Sequence, residues 1–567
     1  MNLAETVWKE RYAQHGEESW KDSAKRIAVC GAKAEENTKF DEWLERFYAE
    51  ISKFNFIPGG RILSNSGKTK QFMMNCNVLG LEDSRESIGQ LIKDTLIVSG
   101  TGGGVGVSFS RLRPKGSGIQ TSGGTSSGPI SFMHCLDTVA GTIKTGGGRR
   151  AALMISLSIY HPDIMDFLHE KLDLHKLSNA NISVEIDNKF IQAVKDNDMW
   201  PLIWAGKVWR EYPAREIWDK IIENAWKVGE PGILNLGYIR DMSNSEYFNP
   251  IFTTNPCGEL PLPEYSSCCL GSINIANFVR GKNLDIQGLK QAIEVGVRYL
   301  DNIVTVNEYP LETIKLNATS DRRIGLGLTG LHYAMLKLGL KYSSDEAIGF
   351  TEKIYEILRN HSYWVSSEIS MEKGAFPLFN ADSYLRSRFI KSLPSKIRQK
   401  IRECGIRNVC LNTQAPTGTT SLLAGVSSGI EPIFSPVYER RYYSEDKIKK
   451  EVIADPMLLS MIEEGKDVNH FEGAYDIKPE RHLAIQESAQ RYIDSAVSKT
   501  INLPEKYPID KLSDLLLEYI PTLKGVTIYR EGSRGESPLK VLDPKKYLEK
   551  ATAGENKTEC GVGGCDE

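Results

Sequence analysis

Residues 255–274 read NPCGELPLPEYSSCCLGSIN and set three reactive groups at alternate positions: the amide of Asn255, the thiol of Cys257 on a Pro/Gly turn, and the carboxylate of Glu259. Side chains alternate along an extended segment, so this spacing lets all three face one small substrate. They would supply hydrogen bonding, a sulfur atom and a general base. Cys268 follows eleven residues after Cys257, with Cys269 beside it. A lone cysteine most often ends as a small buried hydrophobe; an amide, a thiol and a carboxylate together have the composition of an active site.

Further along, Ala415-Pro416-Thr417-Gly418-Thr419-Thr420-Ser421 stands between a short strand at Val409–Leu411 and an apolar helical run. Hydroxyls and backbone amides gathered at a helix N-terminus suit a phosphate, because unpaired N–H groups and the helix dipole point there. The cluster SGTGGGVGVSFSRLR does not make a dinucleotide site. No G-x-G-x-x-G fits Gly100–Gly106, and the glycines precede the alternating strand Val105, Val107, Phe109. Closely spaced glycines instead let a ligand or another strand approach the backbone.

These groups need elements to hold them. Phe40, Trp43, Leu44, Phe47, Tyr48 and Ile51 recur at helical spacing behind Thr38, which reads as the N-cap. Phe56-Ile57-Pro58-Gly59-Gly60 breaks that pattern, and Cys76 follows in RILSNSGKTKQFMMNCNVLGLEDS. Asp83 reads as an N-cap for a helix beginning near Ser84. Leu289, Ile293, Val297, Leu300 and Val304 mark a buried helix face. The mixture of short strands and helices from 60 to 530 argues for an α/β fold.

Composition narrows the function. With 567 residues, 41% hydrophobic, a large core is affordable, and a net charge of −3 without a basic block argues against nucleic acid as a partner. No apolar run approaches the ~18 residues of a membrane span, and the N-terminus lacks an apolar signal core. A cytoplasmic protein with no membrane contact is expected. Ten cysteines, widely scattered, imply reduced or redox-active thiols rather than a disulfide scaffold.

The NPCGE and SCxLGSIN segments resemble the finger loop of ribonucleotide reductases. That resemblance implies a ten-stranded α/β barrel with the finger loop at its centre, over residues 58–530. A helical segment would precede it at 1–57, and a flexible redox tail would follow at 531–567. The 57 residues are too few for the ~90-residue ATP-cone of many relatives, so no overall switch by dATP is expected. The resemblance also implies a radical mechanism. Cys257 would carry a thiyl radical, Glu259 would act as base, Asn255 would hold the sugar, and Cys76 with Cys268 would form the reducing pair.

Ser64, Asn75 and Gly104 match substrate-binding positions, as does the 416–421 turn (Pro416, Thr417, Gly418, Thr419, Thr420, Ser421) for the diphosphate. Ser66 lies in the same region. Asp83, Arg111, Arg113 and Arg149, or its neighbour Arg150, match effector-site positions for a dNTP or ATP. Cys560 and Cys565 in the tail match the dithiol that thioredoxin or glutaredoxin resets. Zinc needs four ligands and finds no second pair nearby.

The class I reductases pass the radical through two adjacent tyrosines, but here Tyr529 is followed by Arg530. The glycyl-radical segment of the anaerobic class is absent. The chain therefore resembles class II, whose cofactor is adenosylcobalamin, acting on a ribonucleotide, with the diphosphate favoured, and forming a homodimer. The D-x-H-x-x-G cobalamin motif is missing, Ser178 standing where glycine is required after Asp173-Leu174-His175; class II enzymes do without it. A class I large subunit with an unusual relay and a catalytically silent nucleotide-binding regulator are the alternatives.

Overall fold

The computed structural model describes residues 3–119, 123–145, 149–173, 175–444, 447–533 and 539–542. At its centre is a ten-stranded sheet. In chain order its strands are β1 (Phe56–Pro58), β2 (Cys76–Val78), β3 (Gly104–Ser108), β4 (Leu153–Ser158), β5 (Ala180–Ile186), β6 (Gly232–Asn235), β7 (Ser266–Asn274), β8 (Ile324–Thr329), β9 (Thr500–Leu503) and β10 (Gly525–Arg530). β2 to β6 run parallel in sequence order. β6 then pairs antiparallel with β10, which is parallel to β9. On the other side β7 is antiparallel to β1 and β2 and parallel to β8.

Residues 410–414 carry the ladder between the two free edges. Asn412 bridges Leu326 of β8, and Gln414 bridges Val497, just ahead of β9. The short strand expected at Val409–Leu411 thus becomes two single bridges slightly later in the chain, which link β8 to the segment just ahead of β9.

Helices cover the outside. One apolar layer packs β1, the outward side of β7 and β8 against the helix Ile286–Val306 and the N-terminal helices Trp20–Ala32 and Phe40–Ser52. A second lies over β3 to β6, β9 and β10. Trp43, Phe47 and Ile51 are buried as their spacing implies, while Phe40, Leu44 and Tyr48 pack at the margin. The helix begins one residue later than the Thr38 cap requires: its N-cap is Lys39, without a side-chain cap bond. Arg298 binds both carboxylate oxygens of Glu35 at 2.8 Å, tying the N-terminal helices to the barrel. Burial opposes ionisation there, but hydrogen bonds from Arg298, Asn302 and Lys373 outweigh it and hold Glu35 at about 2.

The interior of the barrel holds a small third cluster, in which Phe252, Leu260 and Leu262 pack on Cys76, Val78, Cys268 and Leu270. The first three flank a hairpin, Thr253–Thr254 against Pro261–Leu262. Glycines make the space for it. A Cβ on Gly106 would lie 1.9 Å from the Thr254 carbonyl oxygen, and one on Gly104 would lie 3.2 Å from Pro256. Along β3, Val105 and Val107 face the outer layer while the glycines face the hairpin. Gly106→Ala should therefore displace the hairpin and lower stability by about 3 kcal/mol, read by urea unfolding; an unchanged midpoint would refute this packing.

Candidate active site

The hairpin tip is a turn, not the extended segment its alternation suggests. Asn255 N–H donates to Leu260 O (3.1 Å) and Gly258 N–H to Asn255 O (3.0 Å). Leu260 N–H donates to Asn255 Oδ1 (2.9 Å). Gly258 takes φ +79°, a region that glycine enters without strain. The tip is pinned from behind, where the Glu259 carbonyl accepts from Thr413 Oγ1 (2.6 Å) and Ala496 N–H (2.9 Å). Asn255, Cys257 and Glu259 therefore come together through tight closure of the turn, and their side chains have different surroundings.

Asn255 is fully buried and donates through Nδ2 to Cys76 Sγ at 3.1 Å. Glu259 is 1% exposed, and its Oε2 has no hydrogen-bond partner among the described residues. Burial raises its carboxyl to about 7, against a lowering hydrogen bond from Asn255. Of the three, only Cys257 is exposed; it lines a half-open cavity of about 200 Å3. Protein packed around that cavity still pushes its thiol up, and the Glu259 charge adds to the effect. The cavity is walled by β5, β6, β10 and the segment at 497–499; residues 415–421 do not line it.

Cys76 and Cys268 are directly opposed on antiparallel β2 and β7, both as free thiols. Opposed Cα atoms in such a pair stand roughly 4.5–5.5 Å apart, within the range a disulfide spans. Burial pushes both thiols up; at Cys76 the Glu259 and Cys257 charges reinforce it. Cys269 faces the other way, its Sγ on the Leu300 carbonyl at 3.3 Å in the outer layer.

The 416–421 turn starts the helix Gly418–Ala424, with Thr417 at its N-cap, φ +56°, and no side-chain cap bond. The expected row of free hydroxyls is largely used internally. Ser421 is buried and donates to Gly418 O (3.0 Å), Thr420 donates to Thr417 O (3.1 Å), and Thr417 pairs with Thr329 (3.1 Å). The N–H groups of its first turn have no intrahelical acceptors, as at any helix N-terminus.

Ser64 binds Arg61 O (3.3 Å), and Ser66 donates to Ile62 O (2.7 Å). Asn75 keeps a buried Oδ1 without a partner among the described residues, next to Gly104, whose N–H binds the Asn75 carbonyl. Asp83 does not cap the following helix. Ser84 does, accepting from Ser87 N–H, while Asp83 binds Arg113 Nε at 2.8 Å. Arg111 pairs with Glu82 and Glu264 and lies 4.6 Å over the Phe252 ring. The Arg149 and Arg150 backbones pair with Lys144–Thr145. Cys560 and Cys565 lie outside the described residues.

Gly106, Thr413 and Gln414 were not singled out by the sequence. The signal for Gly106 was its alternation with Val105 and Val107; Thr413 and Gln414 carried none.

Compared with known families, residues 74–529 match the ribonucleotide reductase barrel domain and residues 2–71 the all-alpha domain of the same family. The chain belongs to the ribonucleotide reductase family and is an oxidoreductase. It is 34% identical to a Mycobacterium tuberculosis protein named vitamin B12-dependent ribonucleoside-diphosphate reductase, over 97% of this chain and 80% of that one. It is also 34% identical to a protein of that name from Thermoplasma acidophilum, over 94% of this chain and 72% of that one. A Chlamydia pneumoniae ribonucleoside-diphosphate reductase subunit alpha is 25% identical, over 82% of this chain and 52% of its own.

Two outcomes follow from the geometry. Mild oxidation with diamide should join Cys76 to Cys268, with Cys268→Ser but not Cys269→Ser preventing it; peptide mapping would show the reverse if the facing were wrong. Because folding raises Glu259 from 4.5 to about 7, the protonated form is favoured, and its contribution to stability should be lost as pH rises through 7. Glu259→Gln should thus gain on the wild type by roughly 3 kcal/mol between pH 4.5 and 8, measured by urea unfolding.

Proposed function

We propose that this chain reduces ribonucleoside diphosphates to 2'-deoxyribonucleotides as a class II enzyme dependent on adenosylcobalamin. The observation that carries the reading is the single turn that brings Asn255, Cys257 and Glu259 against the opposed Cys76–Cys268 pair. The relatives' names support both the diphosphate and the cofactor.

The cavity beside Cys257 fits part of that cofactor. Its 200 Å3 is below the roughly 300–1,000 Å3 of drug-sized sites, so it would suit a nucleoside-sized group. Gly229, Gly232 and Gly525 on its wall place no side chain in it. Adenosylcobalamin, when bound, supplies an unpaired electron by opening its cobalt–carbon bond.

The remaining chemistry falls to the chain. The Cys257 thiyl takes the 3'-hydrogen of the ribose, and Glu259 accepts the 3'-hydroxyl proton at Oε2. The 2'-hydroxyl leaves as water. Cys76 and Cys268 provide two electrons and two protons and close to a disulfide, and Cys257 returns its hydrogen to C3'. The sum is ribonucleotide plus two thiols to deoxyribonucleotide, disulfide and water. The Gly418–Ala424 helix N-terminus receives the diphosphate. Cys560 and Cys565 reopen the disulfide and are reset by a thioredoxin or glutaredoxin. A dNTP or ATP binds near Asp83, Arg111, Arg113 and Arg149 in a homodimer.

One observation disfavours a metal-loaded partner subunit. Among the described residues, no tyrosine lines the cavity at Cys257. Arg530, which interrupts the tyrosine pair, donates to the Trp226 carbonyl (2.9 Å) and stacks on that ring (3.9 Å). The lone chain with adenosylcobalamin should therefore turn over CDP or ADP without oxygen. Activity only on adding a metal-containing subunit would reject the assignment. Cys257→Ala should abolish exchange of the 3'-hydrogen, and surviving exchange would remove Cys257 from its role.

A further inference from the structure

Two buried groups near the reducing pair take no part in this chemistry, Arg323 and Cys410. Arg323 is 4% exposed. Its Nε binds Asp321 Oδ2 at 2.6 Å and its Nη1 binds Cys410 Sγ at 3.4 Å, while Nη2 has no hydrogen-bond partner among the described residues. It stands immediately before β8, and the pairing of Cys269 with Ile324 sets it beside Cys268 on the neighbouring strand. The sulfur of Cys268 lies over this edge of β8, since a Cβ on Gly325 would fall 3.3 Å from it. The guanidinium acts on Cys268 in the direction of ionisation, against burial and the neighbouring thiols.

Cys410 is not a third exchanging thiol. Its carbonyl accepts from Ile324 N–H, so it lies on the far side of β8 from Cys268. Two strand spacings, roughly 9–10 Å, exceed the reach of a disulfide. Its sulfur holds the guanidinium from behind.

The two sulfurs of the reducing pair therefore meet opposite surroundings. Cys76 has Glu259 and Cys257 near it, whose negative forms disfavour a thiolate there and outweigh the hydrogen bond it accepts from Asn255, and is the more exposed at 9% against 1%. Cys268 has a buried cation. In thiol exchange the sulfur that leaves faster is the one better able to carry negative charge.

Resting on the reductase reading above, we infer that Arg323 is a positioning residue that makes Cys268 the leaving thiolate when the Cys76–Cys268 disulfide is reopened, so that the incoming thiolate attacks Cys76. The S–S bond breaks with its electron pair on Cys268, and a bond forms between Cys76 and the sulfur of the incoming dithiol. The second thiol of that dithiol then displaces Cys76, leaving the reductant oxidised and both chain cysteines reduced. Cys268 and Cys76 take up the two protons the dithiol has lost.

The test uses the full chain oxidised by diamide, with the Cys76–Cys268 disulfide confirmed by peptide mapping, then opened by dithiothreitol. Arg323→Gln should open on the order of tenfold more slowly than the wild type, and Arg323→Lys, which restores the charge, should recover most of the rate. A monothiol, glutathione, should be trapped on Cys76 of the wild type. Equal opening rates for wild type and Arg323→Gln, a lysine variant as slow as the glutamine one, or glutathione found on Cys268 would each overturn the inference. The wild-type trapping needs no variant to fold. If one anaerobic turnover with adenosylcobalamin and CDP leaves Cys76 and Cys268 as thiols, the reductase reading fails as well, a result distinct from any change in opening rate.

Discussion

The site depends on one close approach, the Thr254 carbonyl set against the bare Cα of Gly106. A barrel interior is normally filled by side chains from its own strands. Here β3 withholds them at Gly104 and Gly106, and a hairpin from elsewhere in the chain supplies the filling with Phe252, Leu260 and Leu262. Its tip arrives with polar groups that would be costly to bury unpaired. The turn satisfies most of them itself, through Asn255 and Leu260, and Thr413 and Ala496 satisfy the Glu259 carbonyl. Glu259 Oε2 and the Cys257 thiol are left over, the first without a partner among the described residues and the second facing a cavity. Reactivity is concentrated where the packing leaves capacity unused.

Electrostatics follows from the same burial. A carboxyl at about 7 can exchange a proton near neutrality, which a solvated glutamate cannot. Beside it, burial holds the thiols of Cys76, Cys257 and Cys268 in their neutral form. The charged groups of the barrel lie mostly in paired networks farther out, such as Glu35 with Arg298 and Lys373, where they join helices to the barrel instead of acting on the site.

Much of this was legible in the chain. The alternation of Val105, Val107 and Phe109 gave β3, although Gly104 and Gly106, expected ahead of the strand, lie within it and Phe109 lies just past it, and the helical spacing of Leu289 to Val304 gave the buried face of Ile286–Val306. Asn255, Cys257 and Glu259 stood out by residue type, although the sequence suggested a straight segment where Gly258 makes a turn. What escaped depends on contacts distant in sequence. Thr413 meets Glu259 across 154 residues, and the bridges at Asn412 and Gln414 involve too few residues to leave a strand pattern. The caps failed locally: Lys39 rather than Thr38 starts its helix, and Asp83 is drawn off by Arg113 while Ser84 caps. The hydroxyls of 417–421 read as ligand groups, yet most are satisfied by neighbouring carbonyls and hydroxyls.

Cys268 and Cys269 are consecutive on one strand and project into different interiors, one toward Cys76 and the other toward the helix carbonyl at Leu300. Both are sulfur, so a slip of β7 by a single residue would change neither the composition nor much of the hydrophobic content at these two positions. It would nevertheless put Cys269 opposite Cys76 and carry every second side chain of the strand to the wrong side. β7 is held against that slip by three partner strands, β1, β2 and β8. An insertion in the loop 263–265 would thus be absorbed ahead of the strand, whereas one inside 268–274 would disconnect the reducing sulfur while leaving a chain that still contains every cysteine.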